Sequence, residues 1–129
     1  MNAECTTELF DQIEECLQKF RKRGEELIVL GDLNVNLDDH TSTNWSKLRT
    51  FMMSLNLHDL VQGPTRVAPL NSKVSSTKID YVLSSHSERY IPQQTLDTGL
   101  SDHRLCFAVS KYRAETKAKE LRRSRCWNE

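Results

Sequence analysis

One domain is the most that 129 residues form, and its core is lean: apolar residues make up 37%, below the roughly 45–50% of an average soluble domain even with glycine added. The 18 basic and 18 acidic side chains cancel, but residues 111–129 hold seven Lys or Arg against three Glu, a local +4 that leaves −4 on residues 1–110. Met1 to Glu15 has neither the basic nor the apolar region of a secretory leader, and no stretch nears the ~18 apolar residues of a membrane span, so a membrane or secreted chain is not expected. Cys5, Cys16, Cys106 and Cys126 make no C-x-x-C pair, which argues against zinc. Cys16 and Cys106 fall in apolar patterns and read as reduced core thiols, so an intracellular location, nucleus or cytoplasm, is expected.

Leu9, Phe10, Ile13, Leu17 and Phe20 recur at helical spacing. The spacing predicts a helix capped by Thr6 or Thr7 and ended by a basic turn and Gly24. The apolar run Leu27 to Leu30 follows as a strand, close enough for the helix to pack on its sheet. Trp45, Leu48, Phe51, Met52 and Leu55 mark a second amphipathic helix, with Ser42, Thr43 or Asn44 as its cap and the aromatic and Met positions as core contacts. Leu57 to Val61 is short and apolar until Gly63-Pro64 breaks it. Residues 65–77 read as a long polar loop. Lys78 to Leu83 and Arg104 to Val109 are the later strands. From Tyr112 onward charges dominate, and Ala114, Ala118 and Leu121 give too thin an apolar stripe to offset the entropy of ordering. The domain is therefore expected to span 1–110, with 111–129 a basic linker or tail.

Three polar motifs sit where strands begin or end. Gly31-Asp32-Leu33-Asn34 closes the first strand, Ile79-Asp80-Tyr81-Val82 opens another, and Ser101-Asp102-His103 leads into the last. Each alone is commonly a turn or a cap, because Asp and Asn bond to nearby backbone. Their ordered co-occurrence over about seventy residues is much harder to produce by turn chemistry alone. Phosphodiester hydrolysis needs a metal to neutralise phosphate oxygens, a group to orient water, and donors for the charge that grows at phosphorus. Asp32, Asn34, Asp80, Asp102 and His103 supply those residue types, and an oxygen-rich set without thiolates favours Mg²⁺ or Mn²⁺. Asp80 is suited to fix the His103 tautomer by accepting its second N–H.

In this order, Leu30-Gly31-Asp32-Leu33-Asn34, Ile79-Asp80-Tyr81-Val82 and Ser101-Asp102-His103 resemble the C-terminal half of the endonuclease/exonuclease/phosphatase family, which includes deoxyribonuclease I and the abasic-site nucleases. Gly63-Pro64-Thr65-Arg66 resembles more narrowly the endonuclease domain of non-LTR (LINE-type) retrotransposons, which makes a lipid or inositol phosphatase the weaker alternative. The likeness implies an α/β fold, the C-terminal half of a two-sheet α/β sandwich of the DNase I type. It implies that Asp32 orients or deprotonates water and Asn34 steadies the scissile phosphate. His103, oriented by Asp80, would bind that phosphate, and Asp102 with Asp32 would serve the metal. Thr77 and Lys78 would lie beside the substrate DNA. Leu33 stands where the sub-family often has Phe, and residues 111–129, with Arg123 and Trp127, resemble the start of a linker toward a reverse transcriptase.

Family members also carry an N-terminal half that contributes an Asn, a metal-binding Glu and a substrate-facing Tyr or His. The upstream acids here, Glu4, Glu8, Asp11, Glu14, Glu15, Glu25 and Glu26, match no such motif and read as a solvated face. The resemblance therefore implies a metal-dependent DNA endonuclease half-domain, weak or inactive alone, with loosely bound Mg²⁺ or Mn²⁺. An uncovered sheet would invite a missing half or a second copy. The alternative is a non-catalytic remnant that binds nucleic acid or another partner through its basic tail, including Lys117, Lys119, Arg122, Arg123 and Arg125, although a solvated linker is the plainer reading of that tail.

Overall fold

The computed structural model describes residues 3–20, 22, 24–70 and 73–113. In chain order these form α1 (Ala3–Phe20), β1 (Ile28–Asp32), α2 (Thr43–Ser54), β2 (His58–Asp59), β3 (Val61–Gln62), β4 (Arg66–Leu70), β5 (Lys73–Thr77), β6 (Asp80–Ser84), a 3₁₀ turn (Ser87–Arg89), β7 (Tyr90–Ile91), β8 (Gln93–Gln94) and β9 (Val109–Ser110). Most of the tail, from Ala114 on, lies outside the described residues.

The central sheet is antiparallel in the order β1-β6-β2. Its period-two alternation sends Val29, Tyr81 and Leu83 to one face, where they meet Phe10, Leu48, Phe51, Leu55 and Leu57. Ile13 and Leu17 of α1 pack on the same cluster, and the Phe10 and Phe51 rings stand 5.2 Å apart, so the first helix does dock on the Asp32 sheet. Val82 points the other way, into a smaller cluster with Leu60 and Val61 that Tyr90, Cys106 and Ala108 flank. Ser42 caps α2 by accepting the Asn44 amide, as its sequence position suggested.

Several expectations are corrected. α1 already runs from Ala3, so Thr6 and Thr7 lie within the helix and not at its start. Cys16 is exposed on α1. Residues 66–70 and 73–77, expected as loop, pair as antiparallel strands, β4 against β5, in register from Arg66↔Thr77 to Leu70↔Lys73. A two-stranded ribbon with both faces near solvent needs no apolar run, and Ser and Thr fill it well, so composition alone read it as loop. Arg104 to Val109 is not a continuous strand: Leu105 makes one bridge with Leu96, and pairing resumes only at β9 against β7. Cys106 and Ala108 of that segment pack against the Val82 cluster, and its alternation reflects that contact, not membership of the central sheet.

Candidate active site

Antiparallel pairing places the C-terminal end of β1 beside the N-terminal end of β6, and the last registered pair is Asp32↔Asp80. Gly31 has φ 145°, and open space surrounds the place a Cβ would occupy, so backbone conformation and not crowding demands glycine there. Past Asp32 the chain turns tightly: the Asn34 amide donates to Asp32 Oδ1 at 2.9 Å, and Asn34 adopts a left-handed φ of 53°. Leu33 N donates to Ile79 O at 2.9 Å, holding that turn against the head of β6. Tyr81 anchors its far side, since its buried hydroxyl accepts the Leu37 amide at 3.2 Å and donates toward the carbonyls of Val35 and Lys78. Burial pushes the Tyr81 hydroxyl far above its ordinary pKa of 10.0, so it stays a neutral donor.

His103 reaches this end of the sheet from a separate segment. Its Nδ1 lies 3.2 and 3.1 Å from the two Asp80 carboxylate oxygens, the dyad that the sequence suggested. Donor atoms of Asp32, Asp80 and His103 lie within 4.8 Å of one another. Among the described residues this is the group of acids, imidazoles and thiols that converges closely enough to hold a cation. The donor set, two carboxylates and one imidazole, suits a hard divalent ion.

The other expected site residues fall differently. Asn34 sits in the exposed turn beside Asp32. Asp102 is not in the converging group; its Oδ2 accepts from Arg66 Nε at 2.7 Å, and that hydrogen bond outweighs slight burial to hold the Asp102 carboxyl below its usual range. Thr77 ends β5, with its carbonyl taking the Thr65 amide at 2.9 Å. Lys78 is turned inward: its ammonium pairs with Asp59 and donates to Val61 O at 2.5 Å, with 14% of the side chain exposed.

Two structural contributors stood in the sequence without being assigned a role. Thr65 is fully buried, and its Oγ1 accepts the amides of both Ile79 and Asp80, at 3.0 and 2.9 Å, where β6 begins. Arg66, its neighbour, pairs with Asp102 and bridges His103. The Gly63-Pro64-Thr65-Arg66 tetrapeptide was the signal for both. An open recess of about 290 Å³ beside the carboxylates is lined by Leu30, Asp32, Asp80, Val82, Arg104 and Cys106, among others.

The family model described as endonuclease-reverse transcriptase matches residues 2–107. Among solved structures, an endonuclease/exonuclease/phosphatase family protein from Leptotrichia buccalis C-1013-b is similar in fold, with a TM-score of 0.56 at 14% identity over 74% of this chain. The chain spans 40% of that protein's length, consistent with one part of the two-sheet sandwich. No curated protein matches. The matched model covers all three polar motifs together with the helix and the β4–β5 pair that position them, and the chain belongs to the endonuclease-reverse transcriptase family within the endonuclease/exonuclease/phosphatase fold.

Proposed function

We propose that this endonuclease-like domain carries the phosphate-cutting side of a metal-dependent DNA endonuclease site of retrotransposon type. The observation that carries the reading is the meeting of Asp32, Asp80 and His103 at one sheet edge, from segments far apart in sequence. Mg²⁺ or Mn²⁺, once bound, neutralises phosphate oxygens and lowers the pKa of water. Asp32, exposed beside the turn, orients the attacking water and serves the ion. Asp80 accepts the His103 Nδ1–H and so selects the tautomer that leaves Nε2 to meet the phosphate. Asn34 steadies the same phosphate from the turn, and Thr77 lies near the DNA strand; Lys78, committed to Asp59, shapes the site from within.

The reading includes a deficit. No acid upstream of β1 matches the family's metal-binding Glu, so cation affinity is low and cutting by the isolated chain is weak. A complementary half, or a second copy on the exposed face of β1, would supply the missing cover, and residues 111–129 would act as linker.

Nicking of supercoiled plasmid with Mg²⁺ or Mn²⁺ tests it, comparing the full chain with Asp32→Asn, Asp102→Ala and His103→Ala. Metal-dependent nicking that disappears in Asp32→Asn and His103→Ala is expected. Equal background in every preparation supports instead the remnant that binds nucleic acid or a partner without cutting. DNA affinity measured across salt, with and without residues 111–129, then decides whether the tail does the binding.

A further inference from the structure

His103 arrives at Asp80 on a segment with little else to hold it. Residues 96–101 are all exposed, Leu100 at 89%, and Ser101 Oγ bonds only to the backbone of His103 itself, accepting its amide at 3.0 Å. A bridge between Leu96 and Leu105 closes this loop on itself, and the backbone anchor to the elements beside Asp80 is a second antiparallel bridge, Arg66↔His103. It consists of Val67 N donating to Asp102 O at 2.8 Å and Arg104 N donating to Thr65 O at 2.7 Å. The side chains flanking that bridge make the third link, Arg66 Nε to Asp102 Oδ2 at 2.7 Å. All three bonds connect residues 65–67 to residues 102–104. The Thr65 hydroxyl in turn takes the Asp80 amide, so one short stretch fixes both members of the Asp80–His103 dyad.

We propose that Arg66 is a positioning residue and that its ion pair with Asp102 is the latch that keeps the His103 ring on Asp80. The proposal rests on the endonuclease reading for its catalytic consequence, though not for the latch itself. It gives Asp102 a task other than binding the cation: its carboxylate is spent on a guanidinium and stands outside the converging donors. The fit is geometric. Arg offers Nε as a directed donor in a rigid plane, whereas Lys would offer a point charge on a flexible stem.

The test uses the full chain with Arg66→Ala, Arg66→Lys, Asp102→Ala, the double alanine variant, and the reversed pair Arg66→Asp with Asp102→Arg. Amide hydrogen exchange is read at Val67 and Arg104, and the His103 ring nitrogens are read by NMR. In Arg66→Ala, exchange at both amides is expected to quicken about tenfold while Leu83 in the central sheet is unchanged, with His103 losing its single-tautomer signature. Arg66→Lys, which keeps charge and stem, guards against unfolding and falls between. The reversed pair is expected to restore both signals. Val67 and Arg104 protection unchanged in Arg66→Ala and in Arg66→Lys overturns the latch, whether or not the protein cuts DNA.

If the parent chain nicks, Arg66→Ala and Asp102→Ala each lower kcat about tenfold at unchanged KM, and the double variant is no worse than either. Additive losses overturn the proposal. So does an Asp102→Ala protein whose only defect is a higher Mg²⁺ requirement, which would make Asp102 a ligand, or an Arg66→Ala protein that loses DNA affinity at full kcat. A parent chain that does not nick at all defeats the endonuclease reading and leaves the exchange and ring-nitrogen results to decide the latch.

Discussion

Asp32 and Asp80 face each other directly across β1 and β6, two carboxylates in one registered antiparallel pair. Like charges placed opposite each other destabilise a sheet, and although His103 lies within 4.8 Å of both carboxylates its ring nitrogen is hydrogen-bonded to Asp80. Asp32→Asn is therefore expected to raise the melting temperature of the metal-free protein slightly. The parent chain should gain stability when Mn²⁺ is added, by mass action, and the variant should not. A thermal-shift titration reads both effects; equal Mn²⁺ responses would show that Asp32 takes no part in holding the ion.

Tyr81 joins the sheet to the turn that follows Asp32, and its replacement should be felt at both places. Tyr81→Phe leaves the Leu37 amide and two carbonyls without the hydroxyl, a loss of about 1–3 kcal/mol if they stay buried. Urea unfolding measures it. Because burial raises the Tyr81 pKa in the folded protein, the stability it contributes is complete below pH 10 and lost as pH rises toward the folded value. The parent should thus weaken in alkali more than Tyr81→Phe does, and parallel pH profiles would contradict the assignment.

The helices, β1, β6 and the Asp80–His103 contact were legible because each carries its own signal. An apolar period sets helix or strand, and polar motifs at three strand ends in one order are hard to produce by turn chemistry alone. The β4–β5 pair was not legible, since residues 66–69 and 73–77 pack little against a core and so show no periodicity. Asp102 and Lys78 illustrate a different limit. Their chemistry was readable but their partners were not, because an Arg 36 residues away and an Asp 19 away become neighbours only through the topology. Arg104 to Val109 shows the reverse error: alternation records which side chains touch a core, whatever the backbone pairs with.

Glu26 sits just before β1 and ties it to the 3₁₀ turn, through Ser84 Oγ at 2.8 Å and Arg89 at 3.2 Å. Burial pushes its pKa up, but hydrogen bonds from Ser84, Tyr90 and Arg89 together outweigh it, and the net shift is downward from 4.5. A lowered folded pKa contributes stability that is present above the unfolded value and disappears as pH falls through the folded one. Glu26→Gln should be less stable than the parent at neutral pH, with the gap narrowing once pH drops below about 4. Urea midpoints at the two pH values check this; a gap that holds constant would mean that the carboxylate's charge is not what matters.

The outer edge of β1 is free among the described residues, since the sheet order is β1-β6-β2. Ile28 and Leu30 project from it at 46% and 66% exposure, and Leu96 and Leu105 expose 55% and 48% nearby in the chain's second half. A free, apolar edge strand is a template for pairing with another chain, and charge on the strand is the usual way of blocking it. Leu30→Lys is expected to suppress concentration-dependent association seen by sedimentation velocity while leaving the fold intact, because Leu30 contributes little to the core. Leu30 also lines the recess beside Asp32 and Asp80, so association through this edge would crowd the site. Cation-induced thermal shift should then weaken as the parent is concentrated and stay constant in Leu30→Lys. A parent chain that remains monomeric up to sub-millimolar concentration, with the same shift throughout, would show that the edge is protected by something other than a copy of itself.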